Sequence, residues 1–132
     1  MKITGGCYCG KVRYEAQGDP MMKAQCHCRE CQYISGGSAN VIMAMPLDSF
    51  RYTQGEAKQF QRTDIDNAVV REFCPDCGTP LASIVGGMAI IKVGSMDDIT
   101  QFGAPEMAIF CIDKQQFHHV PEGMPAFERL PG

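Results

Sequence analysis

The chain has 132 residues, 45% of them apolar and 20% charged, a composition that can bury a core and does not describe a disordered segment. Its formal charge is −3 and its 12 Lys and Arg residues are scattered singly, which argues against nucleic acid as a partner. No apolar run approaches the roughly 20 residues needed to cross a bilayer, so no membrane partner is expected.

The start, Met1-Lys2-Ile3-Thr4-Gly5-Gly6-Cys7, lacks the apolar centre of an export signal, and the expectation is a cytoplasmic protein. Lys11 to Ala16 alternates, with Val12, Tyr14 and Ala16 on one strand face. Arg29 to Ile34 reads as a short helix, and Ser38 to Met45 as a longer apolar strand that stops at Pro46. Arg51 to Thr53, then Gln54-Gly55, then Ala57 to Gln61 reads as a hairpin. Val69 to Phe73, Ala89 to Val93 and Met107 to Ile112 are further strands, and Lys114 to Phe117 a second helical turn. No linker or repeat interrupts the series. It predicts a mainly β single domain over residues 1–132, because an α/β fold needs helices of about 10–15 residues between its strands.

Eight cysteines are many for this length. Disulfides do not persist in a reducing cytosol, whereas metal ligands come in close clusters. Here Cys7 and Cys9 form CxC, Cys26, Cys28 and Cys31 form CxCxxC, Cys74 and Cys77 form CxxC, and Cys111 stands alone. A structural zinc takes four ligands and a catalytic zinc commonly keeps three, so seven clustered cysteines divide as four plus three. CxCxxC supplies three ligands from one segment and suits the open site; Cys7, Cys9, Cys74 and Cys77 then make the closed one. In Cys74-Pro75-Asp76-Cys77-Gly78 the proline fixes φ and Gly78 is free to take a positive φ, as a zinc knuckle requires. Cys7 and Cys9, at i and i+2 of a strand, would aim two sulfurs at one ion with Tyr8 pointing away. A second closed site, with Cys111 or a histidine as fourth ligand to CxCxxC, is the competing arrangement.

Gly6-Cys7-Tyr8-Cys9-Gly10, Cys26-His27-Cys28-Arg29-Glu30-Cys31 and Arg71-Glu72-Phe73-Cys74-Pro75-Asp76-Cys77-Gly78-Thr79-Pro80-Leu81 resemble the glutathione-dependent formaldehyde-activating enzyme (GFA) family, or CENP-V/GFA domain. The resemblance runs from about residue 3 into the tail. It implies a β-tent, Mss4-like fold and two zinc ions, one structural at Cys7, Cys9, Cys74 and Cys77 and one catalytic at Cys26, Cys28 and Cys31. It also implies a carbon–sulfur lyase that joins glutathione and formaldehyde as S-hydroxymethylglutathione. The Mss4-like fold equally accommodates a zinc-stabilised binding module without catalysis. Two positions depart from the family pattern: Ala108 where histidine is common, and Phe117 where tryptophan often stands. If they shape the pocket, the chain is expected to handle another thiol or none.

The remaining candidates carry ordinary readings. Cys111, in an apolar run, reads as a small core residue. His27 is expected to face away from the metal and lie at the surface, as are His118 and His119 beside Pro121. Ser35-Gly36-Gly37 reads as a turn or as a place where a ligand approaches the backbone. Arg71 reads as a surface strand charge, although its fork also matches a carboxylate.

Overall fold

In the computed structural model, which describes residues 1–132, alternating residues of ten short strands build two sheets. The smaller is antiparallel, in the order β1 (Lys2–Gly6), β2 (Arg13–Gln17), β5 (Arg51–Gln54). The larger has seven strands: β10 (Met107–Ile109), β3 (Met22–Cys26), β4 (Asn40–Pro46), β9 (Met88–Lys92), β8 (Pro80–Val85), β7 (Val70–Phe73) and β6 (Lys58–Phe60). Only the β10–β3 pair is parallel. One helix of six residues, α1 (Arg29–Ile34), follows β3 directly.

The alternation in β2 holds as expected: Val12, Tyr14 and Ala16 are buried and, with Ile3 of β1, meet Met43, Met45, Leu81 and Ile91 of the large sheet. Tyr14 is 1% exposed, and its hydroxyl is satisfied by Ser95 Oγ at 2.7 Å. Burial pushes that phenol up to about 12.

Strand β4 is covered on both faces, which explains its unbroken apolar sequence. Met43 and Met45 enter the core between the sheets, while Ile42 joins Ala24, Cys26, Cys31 and Ile109 in a second cluster. Register fixes who shares that second face. Cys26 pairs Asn40, Ala24 pairs Ile42, Ile42 pairs Lys92, Ile90 pairs Ser83 and Ser83 pairs Arg71. Directly opposed residues point the same way, so one sheet face carries Cys26, Asn40, Lys92, Ser83 and Arg71 together.

Three expectations need correction. Residues 51–61 do not form a hairpin: β5 pairs β2 in the small sheet and β6 pairs β7 in the large one. The chain parts at Gly55, whose φ is +70° and where a Cβ would sit 2.4 Å from the Lys11 carbonyl oxygen. The strand from Met107 ends at Ile109, because Phe110 adopts a left-handed φ of 54° and turns the chain into a 3₁₀ turn, Cys111–Asp113. Residues 114–117 are not helical. Strands β1, β3 and β8 had no clear sequence signal. Their pairing partners define them, as Ile3 opposite Ala16 shows.

Candidate metal centres

Cys7 and Cys9 lie in the turn after β1, not on a strand. Cys7 N–H donates to the Val12 carbonyl at 3.0 Å and Gly10 N–H donates to the Cys7 carbonyl at 3.0 Å. This reversal, rather than strand alternation, brings both sulfurs to one side, and it leaves Tyr8 94% exposed. The Cys74 turn is built as the sequence implied: Gly78 has a φ of +79° and donates its N–H to the Cys74 carbonyl at 2.9 Å. The two turns are joined by Tyr8 N–H to Thr79 Oγ1 at 3.0 Å and by the Lys11–Asp76 pair at 3.1 Å.

The four Sγ atoms of Cys7, Cys9, Cys74 and Cys77 all lie within 4.8 Å of one another. Cys7 and Cys9 are separated by 3.5 Å, and Cys9 and Cys74 by 3.8 Å. A tetrahedron with metal–sulfur bonds of ~2.3 Å has sulfur–sulfur edges of about 3.8 Å, so the donor set fits a zinc-sized ion. Backbone N–H groups of Val12 (3.2 Å, to Cys7) and of Asp76 and Cys77 (3.4 and 3.5 Å, to Cys74) point at the sulfurs. Thr79 Oγ1, 3.1 Å from Cys77 Sγ, is foremost among the groups that hold that thiol down to about 6.

The second group is compact in sequence. Cys26 ends β3, Cys28 caps α1 by accepting the Cys31 N–H at 3.2 Å, and Cys31 lies in the first turn. Their three sulfurs also fall within 4.8 Å of one another. Cys31 is held down to about 3 by the Cys26 and Cys28 thiols, and the Asn40 amide adds a bond at 3.6 Å. Cys26 is correspondingly pushed up by its bonds to Cys28 and Cys31. No fourth cysteine or histidine joins this group. Cys111 is half-buried in its 3₁₀ turn rather than in the core, and belongs to neither cluster.

His27 does face away from the cysteines, but it is fully buried, and His118 is buried with it. Sequence reasoning missed this pair because the segment after β10 folds back over the β3–α1 corner. His118 Nε2–H donates to the Gly37 carbonyl at 2.7 Å, so its Nδ1 is an acceptor, taking the Gln115 N–H at 3.0 Å. His27 Nδ1, 3.2 Å from that nitrogen, is therefore the donor, and its Nε2 accepts from Gln25 Nε2 at 3.0 Å. Burial pushes His27 toward its neutral form. His119 is exposed, as expected. Ser35-Gly36-Gly37 serves this arrangement, with Ser35 as the α1 C-cap, and Gly36 and Gly37 line a pocket with His118 rather than with the three thiols.

A cavity of about 260 Å³ opens beside Cys26, Cys28 and Cys31, walled mainly by apolar side chains such as Ile42, Ile90 and Phe110. A wider cleft of about 630 Å³ adjoins it, and the two share Arg71, Ser83 and Lys92. Arg71 is not a free surface charge: its side chain is 21% exposed and binds Glu30 Oε2 at 3.0 Å. Burial pushes the Lys92 amine down to about 8. Neither Ala108 nor Phe117 lines the cavity. Ala108 is fully buried in β10, and Phe117 is 74% exposed with its ring centroid 4.7 Å from that of His118.

A family model described as glutathione-dependent formaldehyde-activating enzyme matches residues 2–113. A crystal structure of a Rhodobacter sphaeroides protein superposes with a TM-score of 0.61 at 17% identity, covering 77% of this chain and 96% of the other. At that identity the likeness shows the mainly β fold alone. No curated protein matches the chain.

Proposed function

The chain belongs to the glutathione-dependent formaldehyde-activating enzyme family, and from that premise we propose that it is a zinc-dependent carbon–sulfur lyase acting on a small thiol–aldehyde adduct. In the forward sense a thiol RSH and formaldehyde combine to RSCH2OH, as with glutathione and S-hydroxymethylglutathione. Cys7, Cys9, Cys74 and Cys77 hold a structural zinc, and Cys26, Cys28 and Cys31 hold the catalytic one. The observation that carries this reading is the asymmetry of the clusters. Four thiols close one site, whereas three thiols form the wall of a cavity with no fourth protein ligand.

Cys26, Cys28 and Cys31 would hold a zinc ion whose chemistry, when bound, would be to take an external sulfur as its thiolate, the nucleophilic form. The chain's own residues prepare the place. The Cys31 N–H and the Asn40 amide brace the ligand sulfurs, and the α1 cap fixes the spacing of Cys28 and Cys31. Ile42, Ile90 and Phe110 keep bulk water from the reacting centre, so thiol and aldehyde meet in a fixed geometry. A cytoplasmic setting is the proposed location, because thiols are abundant and reduced there.

The test is an NMR exchange assay of formaldehyde with a panel of thiols, using wild-type protein and Cys28→Ser. The variant should lose one metal equivalent and the acceleration of exchange. Unchanged metal content and rate in the variant would overturn the assignment. Two equivalents of zinc with no acceleration of any thiol would instead identify a zinc-stabilised binding module.

A further inference from the structure

The face of the large sheet beside the three thiols carries a lysine, largely buried along its length, with no ion-pair partner, and a buried hydroxyl with no hydrogen bond. Lys92 is 8% exposed, yet its Nζ donates no hydrogen bond and lies near no carboxylate within ion-pair distance. Ser83, 2% exposed, holds the one buried side-chain polar atom in the chain without a hydrogen bond. Both line the 260 Å³ cavity with Cys26, Cys28 and Cys31, and both also line the wider cleft. A buried hydroxyl without a partner carries a desolvation cost, and the Lys92 ammonium stands at the cavity wall with no carboxylate to pair with.

The protein treats its other buried charge on these strands differently. Glu72, 9% exposed, receives Tyr52 Oη at 2.7 Å and Gln59 Nε2 at 2.6 Å. Arg71, paired with Glu30, completes the boundary between the two cavities. The unpartnered donors are thus confined to Lys92 and Ser83, where the apolar cavity meets the cleft.

We infer that Lys92 and Ser83, with Arg71 beside them, form a carboxylate subsite, and that the substrate is a thiol bearing a carboxylate a short apolar chain away from its sulfur. A carboxylate has two acceptor oxygens for the two unpaired donors, and the wall between them and the cysteines suits methylene groups rather than peptide groups. This rests on the reading that a substrate sulfur occupies the three-thiol site, and it names the other end of that substrate.

The probes are 3-mercaptopropionate and its neutral counterpart 3-mercapto-1-propanol, titrated into cobalt-substituted protein and read by the sulfur-to-metal charge-transfer absorption. Wild type should bind the carboxylate about tenfold or more tightly, the scale of a hydrogen bond to a charged group. Lys92→Met should bring the two affinities within about twofold of each other, and Ser83→Ala should narrow the gap in the same direction. Equal affinities in wild type overturn the subsite. So does a Lys92→Met protein that weakens both thiols alike, since Lys92 would then serve only as counter-ion to the cysteine sulfurs. If Lys92→Met does not fold, Ser83→Ala decides by the same ratio. Should neither thiol change the spectrum, the sulfur site is wrong, and the subsite stands or falls on chemical shifts of the zinc-loaded protein with butyrate against 1-butanol. A carboxylate-selective shift at the Ser83 amide supports it, and equal or absent shifts overturn it.

Discussion

The Nδ1 atoms of His27 and His118, 91 residues apart in sequence, face each other at 3.2 Å inside the protein, with His27 fully buried. The bond ties the corner that bears two of the three clustered thiols to a segment beyond the family match. His118→Ala would leave the His27 Nδ1–H without a partner and the Gly37 carbonyl without its donor. We expect a loss of about 1–3 kcal/mol, measured by denaturant unfolding, with the metal content unchanged. An unchanged midpoint would show that water replaces His118 at no cost.

The two cysteine groups should differ in what they do for stability. Cys9 and Cys74 are 65 residues apart, so an ion between them closes a long loop, whereas Cys26, Cys28 and Cys31 close only a local one. Cys9→Ser and Cys28→Ser should each remove one metal equivalent. Cys9→Ser should cost about 3 kcal/mol or more, and Cys28→Ser clearly less. Thermal unfolding alongside metal analysis checks this, and equal losses would contradict the division of roles.

Alkaline unfolding should begin at the tyrosines. Burial raises Tyr14 to about 12, and burial together with the Glu72 carboxylate raises Tyr52. An unfolded tyrosine ionises near pH ~10, so the stabilisation from keeping these phenols neutral is fully present below that pH and fades as pH rises through 10 toward 12. For Tyr14 alone the loss is on the order of 2–3 kcal/mol by pH ~12. Tyrosinate absorbance from the buried pair should rise together with loss of the far-ultraviolet signal. Ionisation that leaves the fold intact would contradict it.

Much of the candidate site was legible in the sequence because its chemistry is local. CxCxxC, and the turn Cys74-Pro75-Asp76-Cys77-Gly78, place their sulfurs by cap and turn geometry that spacing encodes. The alternation of Val12, Tyr14 and Ala16 was equally readable. What escaped depends on strands meeting across the sheet. Arg71, Ser83 and Lys92 lie on β7, β8 and β9; Arg71 and Lys92 look like ordinary strand residues and Ser83 carries no strand signal, until register places all three on one face with Cys26. The false hairpin at Gln54-Gly55 failed for a related reason: a turn signal fixes the local reversal and says nothing about which sheet receives each arm. His27 was assigned its direction correctly and its exposure wrongly, since its cover comes from 91 residues downstream.

The large sheet ends differently on its two sides. Strand β10 is not bare: Ala108 N–H donates to the Pro125 carbonyl, and Phe127 N–H donates to the Ala108 carbonyl, both at 2.9 Å. Strand β6, at the other side, is three residues long and begins with Lys58. A short, charged border and a tail-bonded border are two ways of denying a second molecule a strand to pair with. Trimming the chain after its last cysteine would therefore leave all eight thiols in place while uncovering a self-association surface, so loss of solubility in such a fragment would say nothing about its metals.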